Sequence, residues 1–285
     1  MNNIDLDKIR KEKPINELLK FSIINVDKPL GPTSFSVSHY VKVSLGLNKT
    51  SHFGTLDPSV VSGVLPVALG RACRLNDYFM HRDKEYVGIM RVHEEISEEK
   101  LKEIINLFIG KIIQMPPVRS RVKRAPRERE IKSFEILEID GKDVLFRTTV
   151  QAGTYIRKLC DDMGKKIGGA HMLELRRTKA GIFTEENLVN LYDFEKALKE
   201  YEEGREELLR KILIPAEIVS QVLPVIQIKI ENLKSLLTGK PIMKSDINEK
   251  IPEGFFALFN NDKFIGIYRS IQEGDIIARP EFVLN

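Results

Sequence analysis

The chain has 285 residues, 42% of them hydrophobic and 30% charged, with a net charge of only +4. This balance excludes a disordered polyelectrolyte, leaves room for two folded domains, and requires any nucleic-acid binding to come from local basic clusters. Cys73 and Cys160 form no CxxC and no secretory apolar run precedes them, which excludes a disulfide scaffold and points to a reducing cytoplasm. No uncharged apolar run approaches the ~20 residues of a membrane helix, and His39, His52, His81, His93 and His171 show no HxxxH or Cys/His pairing, which argues against a metal site.

Residues 1–20 are polar with scattered apolar points (Ile4, Leu6, Ile9, Ile15, Leu18, Leu19), and Pro14 interrupts any single helix. They read as an arm that docks on another part of the protein. Phe21–Val26 is a strand candidate running into the turn-rich Asp27-Lys28-Pro29-Leu30-Gly31-Pro32-Thr33-Ser34. Thr33 or Ser34 caps a helix carrying Val37, Tyr40, Val41 and Leu45, which Gly46 ends. A second helix is expected near Leu75–Met80, a strand over Lys84–His93, and a helix from Ser97 whose first turn holds Glu98 and Glu99.

Between Arg119 and Lys132 lie seven basic residues (Arg119, Arg121, Lys123, Arg124, Arg127, Arg129, Lys132) against Glu128 and Glu130. Pro116, Pro117 and Pro126 predict an extended loop there, either solvated or in contact with nucleic acid. Phe134–Ile139 and Val144–Val150 read as a hairpin around Gly141, Gly153–Leu159 leads into a helix ending near Gly168-Gly169, and residues 193–213 are helical with a break near Gly204. Pro215 and Pro224 bracket an expected linker. Beyond it, short Ile, Val and Phe bursts separated by Asn260-Asn261-Asp262 and Glu273-Gly274-Asp275 predict a small β-rich domain that needs a neighbour to complete its core. Neither GxGxxG nor a phosphate-binding Gly-Lys-Ser/Thr loop occurs.

The chemistry concentrates in Ser51-His52-Phe53-Gly54-Thr55-Leu56-Asp57-Pro58. Gly54 permits a turn that a side chain would obstruct, and Pro58 keeps Asp57 out of helical geometry. A lone acid in a rigid, partly apolar turn is placed to be desolvated and tuned. The ordinary account of such an Asp-Pro is a carboxylate bonded to its own turn.

Four separated motifs together resemble the TruB family of RNA pseudouridine synthases, in its archaeal and dyskerin-like branch: Asp27–Ser34; His52–Pro58 with Gly63; Lys84-Glu85-Tyr86-Val87; and Gly153-Thr154-Tyr155-Ile156-Arg157 with Leu175-Arg176-Arg177-Thr178. The segments Arg91–His93 and Gln114–Arg124 carry the dyskerin look, and Leu236–Pro241 with the C-terminal bursts resembles a PUA domain. Ser51, Phe53 and Ile182 depart from the family pattern, and Phe53 raises the question of whether it packs the turn or reshapes the pocket beside the acid.

The resemblance implies an α+β fold: a mixed, mainly antiparallel sheet catalytic domain with flanking helices over 21–215, and a small β-barrel-like PUA domain over 222–285 on which the 1–20 arm packs. It implies isomerisation of uridine to pseudouridine without a cofactor or metal, on the T-loop uridine of tRNA, on ribosomal RNA as the catalytic subunit of a box H/ACA guide ribonucleoprotein, or both. Partners would be RNA, guide RNA and small accessory proteins, with no membrane. Asp57 would be the catalytic carboxylate, acting as nucleophile or as base toward the 2′ proton. Arg157 would orient it, Tyr86 would stack on the flipped base, Tyr155 would line the pocket, and His52 would fill the space beside it. Lys28, Arg119, Arg121, Lys123, Arg124, Arg176 and Arg177 are the candidate phosphate contacts. A non-catalytic RNA-binding scaffold of the same fold is the competing reading, which the intact acid, tyrosine and arginine set disfavours; a purely structural protein–protein module would not need the basic segment.

Overall fold

Seven of the eight residues of β1 (Phe21–Lys28) are buried, and period two divides them between two cores. Phe21 and Ile23 face one side, Ile24 and Val26 the other. The same division runs through its antiparallel partner β3 (Val61–Gly70), where Leu65, Val67 and Leu69 join the first core and Val64 and Ala68 the second. The computed structural model from which this arrangement is read describes residues 4–116, 123–228, 233–247 and 250–285.

Around this pair the larger sheet is completed by β2 (Thr50–His52), β4 (Lys84–Val92), β5 (Gly110–Gln114), β6 (Arg127–Asp140), β7 (Asp143–Val150), β8 (Ala170–Ala180), β9 (Phe183–Thr184) and β10 (Ile214–Pro215). Its spatial order is β10-β1-β3-β8-β4-β7-β6-β5, with β2 added to β3 and β9 to β8. Among the described residues, the β3–β8 pairing is the only parallel one between its named strands, joining Val61–Gly63 and Leu175–Arg177. That pairing brings two of the sequence motifs side by side.

Helices α1 (Leu6–Glu12), α2 (Ile15–Lys20), α3 (Ser34–Ser44), α4 (Asn76–Met80), α5 (Glu98–Asn106), α6 (Ile156–Gly164), α7 (Leu191–Glu202) and α8 (Glu207–Ile212) flank the sheet. Capping follows the sequence: the Thr33 side chain accepts from the Ser36 N–H, and Ser97 from that of Lys100. Val37 and Val41 of α3 are buried one turn apart, and Gly46 follows the helix at φ +61°. The chain before α4 is already a 3-10 turn from Arg71, so the expected helix starts earlier than Leu75.

A second sheet holds β11 (Val225–Gln227), β12 (Ile242–Met243), β13 (Phe255–Asn260), β14 (Lys263–Glu273) and β15 (Ile276–Val283) in the order β11-β13-β14-β15-β12, with α9 (Leu233–Leu237) beside it. Tyr268, Phe256, Leu258 and Leu236 fill its own small core. Its other face, with Phe259, Phe264, Ile267 and Phe282, shares the second core with Phe21, Ile23, Phe53 and Phe79. The rings of Phe21 and Phe264 stack at 5.2 Å. This is the mixed, mainly antiparallel α+β architecture that the sequence leads one to expect.

Two expectations are corrected. The stretch bracketed by Pro215 and Pro224 is no linker: Ile214 and Pro215 pair with Ile23 and Ser22, and Ala216, Glu217 and Val219 are buried in the turn that follows. The basic stretch is not one extended loop either, because Gly110–Gln114 and Arg127–Ile131 form a ladder. Only 123–126 are described there without regular structure, and Pro117–Val122 lie outside the described residues.

Residues 4–20 lie against both parts. Ile4 and Ile9 enter the second core, and the Lys8 ammonium pairs with Asp262 at 3.2 Å. Arg210 donates to the carbonyls of Arg10 and Lys13. Lys13 in turn reaches Glu217, whose side chain is only 2% exposed, at 2.7 Å. The second carboxylate oxygen of Glu217 is buried without a partner among the described residues. Removing the lysine therefore strands a buried carboxylate. Lys13→Met is expected to lower the unfolding free energy by about 3 kcal/mol, and Lys13→Met with Glu217→Leu should recover most of it; urea unfolding of both variants measures this.

Candidate active site

The turn before Asp57 is tied down from three directions. Phe53 N–H donates to the Pro66 carbonyl at 2.9 Å, extending the β2–β3 pairing. Gly54 has φ +110°, and its carbonyl accepts from Arg177 Nη2 at 3.1 Å. Ser34 Oγ accepts from the Leu56 N–H at 2.8 Å, and the Gly31 N–H donates to the Pro58 carbonyl at 2.8 Å. The Asp27–Ser34 and His52–Pro58 motifs are thus one hydrogen-bonded unit.

Asp57 projects from this unit with both oxygens occupied. Oδ1 accepts from the Ser59 N–H at 3.1 Å and the Ser59 hydroxyl at 2.8 Å. Oδ2 receives Nη2 of Arg157, a hundred residues away at the start of α6. The Asp57 side chain is 40% exposed and that of Arg157 53%. The expected desolvation of the acid is therefore only partial: the carboxylate is oriented by hydrogen bonds and keeps an open side toward solvent. An exposed pair of this kind adds little to stability, but it fixes the direction in which the acid points.

Tyr155 sits at the N-terminus of α6, partly exposed. Its backbone N–H and carbonyl are bracketed by the buried side chain of Gln114 at 3.0 and 3.2 Å. Tyr86 on β4 is 8% exposed and belongs to the first core, and it favours the charged form of Arg177. Its ring is part of the packed wall behind the turn. His52 ends β2 partly exposed, its Nε2 3.3 Å from Thr55 Oγ1. Phe53 points the opposite way, 1% exposed and stacked on Phe79 at 4.9 Å. It packs the turn onto the second core.

Three of the candidate phosphate contacts are placed otherwise than expected. Lys28 is wholly buried and donates to the carbonyls of Pro29 and Val61 at 2.7 and 3.1 Å. Arg177 is 1% exposed and donates to those of Val64 and Gly54. Both hold backbone and present no charge to a ligand. Arg176, its neighbour on β8, points outward, but its guanidinium grips Asp27 at 3.0 Å through Nη1 and Nη2 and Glu185 at 2.6 Å. Lys123 and Arg124 are exposed. Arg119 and Arg121 lie outside the described residues.

With Lys28 and Arg177, Lys84 makes a third buried cation near the turn. Its Nζ donates to the carbonyls of Met80 and Arg82 at 3.0 and 2.5 Å. Burial first, and then the charge of Arg177, push it down from the usual lysine range to about 7. Lys28 is lowered by the same two causes in the same order. Arg177 is also lowered by burial, opposed by Tyr86. Among the described residues no group of three or more His, Cys, Asp or Glu is arranged to hold a metal, and no helix is long and apolar enough to cross a membrane.

Comparison with known proteins fits this constellation. Residues 42–156 match the N-terminal domain of the TruB family of pseudouridylate synthases, and residues 157–220 the C-terminal domain of tRNA pseudouridylate synthase B. A probable tRNA pseudouridine synthase B of Methanopyrus kandleri is 43% identical over 270 residues, 94% of this chain and 75% of the relative. The chain belongs to the TruB family of pseudouridine synthases. The corresponding protein of Archaeoglobus fulgidus is 38% identical over 94% of this chain and 84% of its own. A chain in a crystal structure of a Cbf5-Nop10-Gar1 complex superposes with a TM-score of 0.87 at 39% identity, covering 96% of this chain and 88% of the other. One in a structure of an H/ACA ribonucleoprotein bound to a substrate RNA containing 2′-deoxyuridine gives 0.84 at 37%, covering 97% and 89%.

Several residues around this TruB-family site escape sequence reasoning. Ser59 is an ordinary serine after a proline, yet it supplies two of the donors to Asp57. Gln114 reads as the end of an apolar run, and only tertiary structure puts it beneath Tyr155. Lys84 does carry a signal, standing two residues before Tyr86 on one face of an alternating strand.

The lowered Lys84 makes a pH prediction. The unfolded lysine binds its proton below about 10.5 and the folded one below about 7. Between these values the unfolded state holds more protons, so stability rises with pH across that window and levels off below it. The difference in unfolding free energy between the native chain and Lys84→Met should change by roughly 1 kcal/mol per pH unit from pH 7 to 10, read by urea denaturation across that range. A difference independent of pH would mean that Lys84 keeps its proton in the fold.

Proposed function

We propose that this TruB-family enzyme converts uridines in RNA to pseudouridine at Asp57, as the catalytic subunit of a box H/ACA guide ribonucleoprotein. The observation that carries the assignment of Asp57 is its double anchorage by Ser59 and Arg157 at an open surface. The guide-dependent setting is supported by similarity along 96–97% of the chain to subunits solved in a Cbf5-Nop10-Gar1 complex and an H/ACA ribonucleoprotein with substrate RNA. Partners of the chemistry of Nop10, Gar1 and a guide RNA follow from the same likeness.

The reaction is an isomerisation. The C1′–N1 bond of the target breaks, the uracil rotates, and a C1′–C5 bond forms; C5 gives up a proton and N1 gains one, so composition is unchanged. A stacked uridine must first be turned out for the carboxylate to reach the sugar. Asp57 either attacks C1′, as the carboxylate of a retaining glycosidase does, or takes the 2′ proton. Both begin from a carboxylate fixed in direction before substrate arrives, and the Ser59 and Arg157 hydrogen bonds provide that fixation. Tyr155, on its braced backbone, lines the space beside the acid, and the wall containing Tyr86 backs the uracil. His52 occupies the same rim. The exposed Lys123 and Arg124 meet phosphates of the bound strand, as do Arg119 and Arg121.

A second reading is direct action on the T-loop uridine of tRNA, favoured by relatives described as probable tRNA pseudouridine synthase B. Reconstitution separates the two: the chain alone on unmodified tRNA, and the chain with guide RNA and accessory proteins on a guide-matched RNA, followed by pseudouridine mapping. Product only in the second mixture supports the guide-dependent reading, and product only in the first replaces it with the tRNA reading.

Asp57→Asn is expected to retain RNA binding while turnover falls by at least about 10^3-fold. Arg157→Ala should lower kcat by roughly 10^2-fold with little change in unfolding free energy, because the pair is exposed. Unchanged turnover by purified Asp57→Asn would refute the assignment.

A further inference from the structure

Near its start β6 carries a guanidinium that takes no part in the contacts around Asp57. From Arg127 to Ile131 the strand alternates: Ile131 is fully buried, Arg127 and Arg129 are half-buried, and Glu128 and Glu130 are exposed. The two arginines therefore share the inward face and the two carboxylates point away. Glu128 is taken by Lys111 at 3.0 Å, and Lys132 by Asp83. Among the described residues no carboxylate lies within ion-pair distance of Arg129.

Its hydrogen bonding is also incomplete. One terminal nitrogen, Nη1, donates to the Glu128 carbonyl at 2.7 Å. Nε is shielded from solvent and has no partner among the described residues. An unpaired, partly desolvated guanidinium is an unfavourable arrangement unless an anion completes it. Nη2 has no hydrogen bond among the described residues and is not closed off like Nε, so it is the donor that a phosphate oxygen can reach.

Its location connects it to the site. The guanidinium packs on Gly153, where an added Cβ would stand 3.2 Å from Nη2 and 3.3 Å from Nε. Gly153 is two residues from Tyr155, at most about 7 Å along the backbone. The same ladder fixes the relation between them: the Gln151 N–H donates to the Glu130 carbonyl at 2.9 Å, and Gln114, paired opposite Arg127, brackets the backbone of Tyr155. Arg129 and Tyr155 thus belong to one braced unit.

We propose that Arg129 is a phosphate anchor, its Nη2 donating to one backbone phosphate beside the target uridine so that the flipped nucleotide is presented to the Asp57–Arg157 pair. The reading rests on the proposed action on RNA. It makes Arg129 a positioning residue, and it gives Gly153 a role as the side-chain-free bed on which the guanidinium lies.

The test is a cycle between protein and RNA, using a synthetic hairpin with a single T-loop target uridine and versions in which each flanking phosphate in turn is a neutral methylphosphonate. Arg129→Gln should bind the native hairpin about tenfold more weakly than the unchanged chain near 0.1 M salt and show a salt slope smaller by about one. Arg129→Lys should recover part of the loss. One particular methylphosphonate should weaken the unchanged chain by a similar factor and leave Arg129→Gln unaffected. If every methylphosphonate weakens both proteins equally, or Arg129→Gln binds the native hairpin normally, Arg129 is only a strut on Gly153. Binding reads this out independently of turnover, so an unchanged chain that binds the hairpin without converting its uridine counts against the function proposed for that RNA and leaves the anchor measurable.

Discussion

Arg177 brings a guanidinium into the interior, where it would be costly without compensation. The structure compensates it with the carbonyls of Gly54 and Val64 and with Tyr86. Each of those contacts fixes a different part of the enzyme: the turn before the acid, the strand after it, and the wall beside it. Gly63 shows how close the fit is. Its φ is +100°, and a Cβ there would fall 2.3 Å from the carbonyl oxygen of Arg177, so the parallel β3–β8 contact admits only glycine. The sheet topology, and with it the meeting of the separated motifs, passes through this one residue and its neighbours.

Lys28 and Lys84 extend the same device. Among the described residues the fully buried charged groups are Lys28, Lys84, Arg177 and Glu217, and the one acid is paired with Lys13 far along the chain. The three cations are satisfied by backbone carbonyls, several of them in the segments that flank the Asp57 turn. Carbonyl groups aimed inward at cations leave the turn with little freedom to rearrange. Lys28 and Arg177 also set positive charge behind a surface that faces a polyanion, without offering those charges for direct contact.

The motifs themselves were legible because each contains residues with strong local meaning: glycine at positive φ, proline after the acid, tyrosine on an alternating strand. Element order and the two-sheet character followed from periodicity. The assignment of the basic residues was less successful, since a cation in sequence reads as a ligand for phosphate wherever it lies. Arg176 and Arg177 illustrate the missed signal. On a strand, consecutive side chains point to opposite faces, so both could not reach the same RNA; the structure directs Arg176 outward to Asp27 and Glu185 and Arg177 inward. Lys28 gave similar warning by standing on the same alternating face of its strand as Ile24 and Val26. The misread linker has another cause: prolines bound a segment without saying whether it is solvated, and here its backbone pairs with the edge of β1.

For Asp57 the structural and the catalytic accounts began as rivals, yet the geometry satisfies both. The local bonds from Ser59 to Oδ1 are those of an ordinary Asx-type turn, formed by residues two apart and needing no distant partner. The bond from Arg157 to Oδ2 needs the whole sheet to bring α6 to the turn. The local bonds set the carboxylate in a direction while the distant one selects that direction for the site. Such a division explains why an exposed acid can be well oriented: its orientation does not depend on burial, which would displace the water and the RNA that must reach it. The rigidity resides in the buried cations beneath, and the reactive group stays at the surface above them.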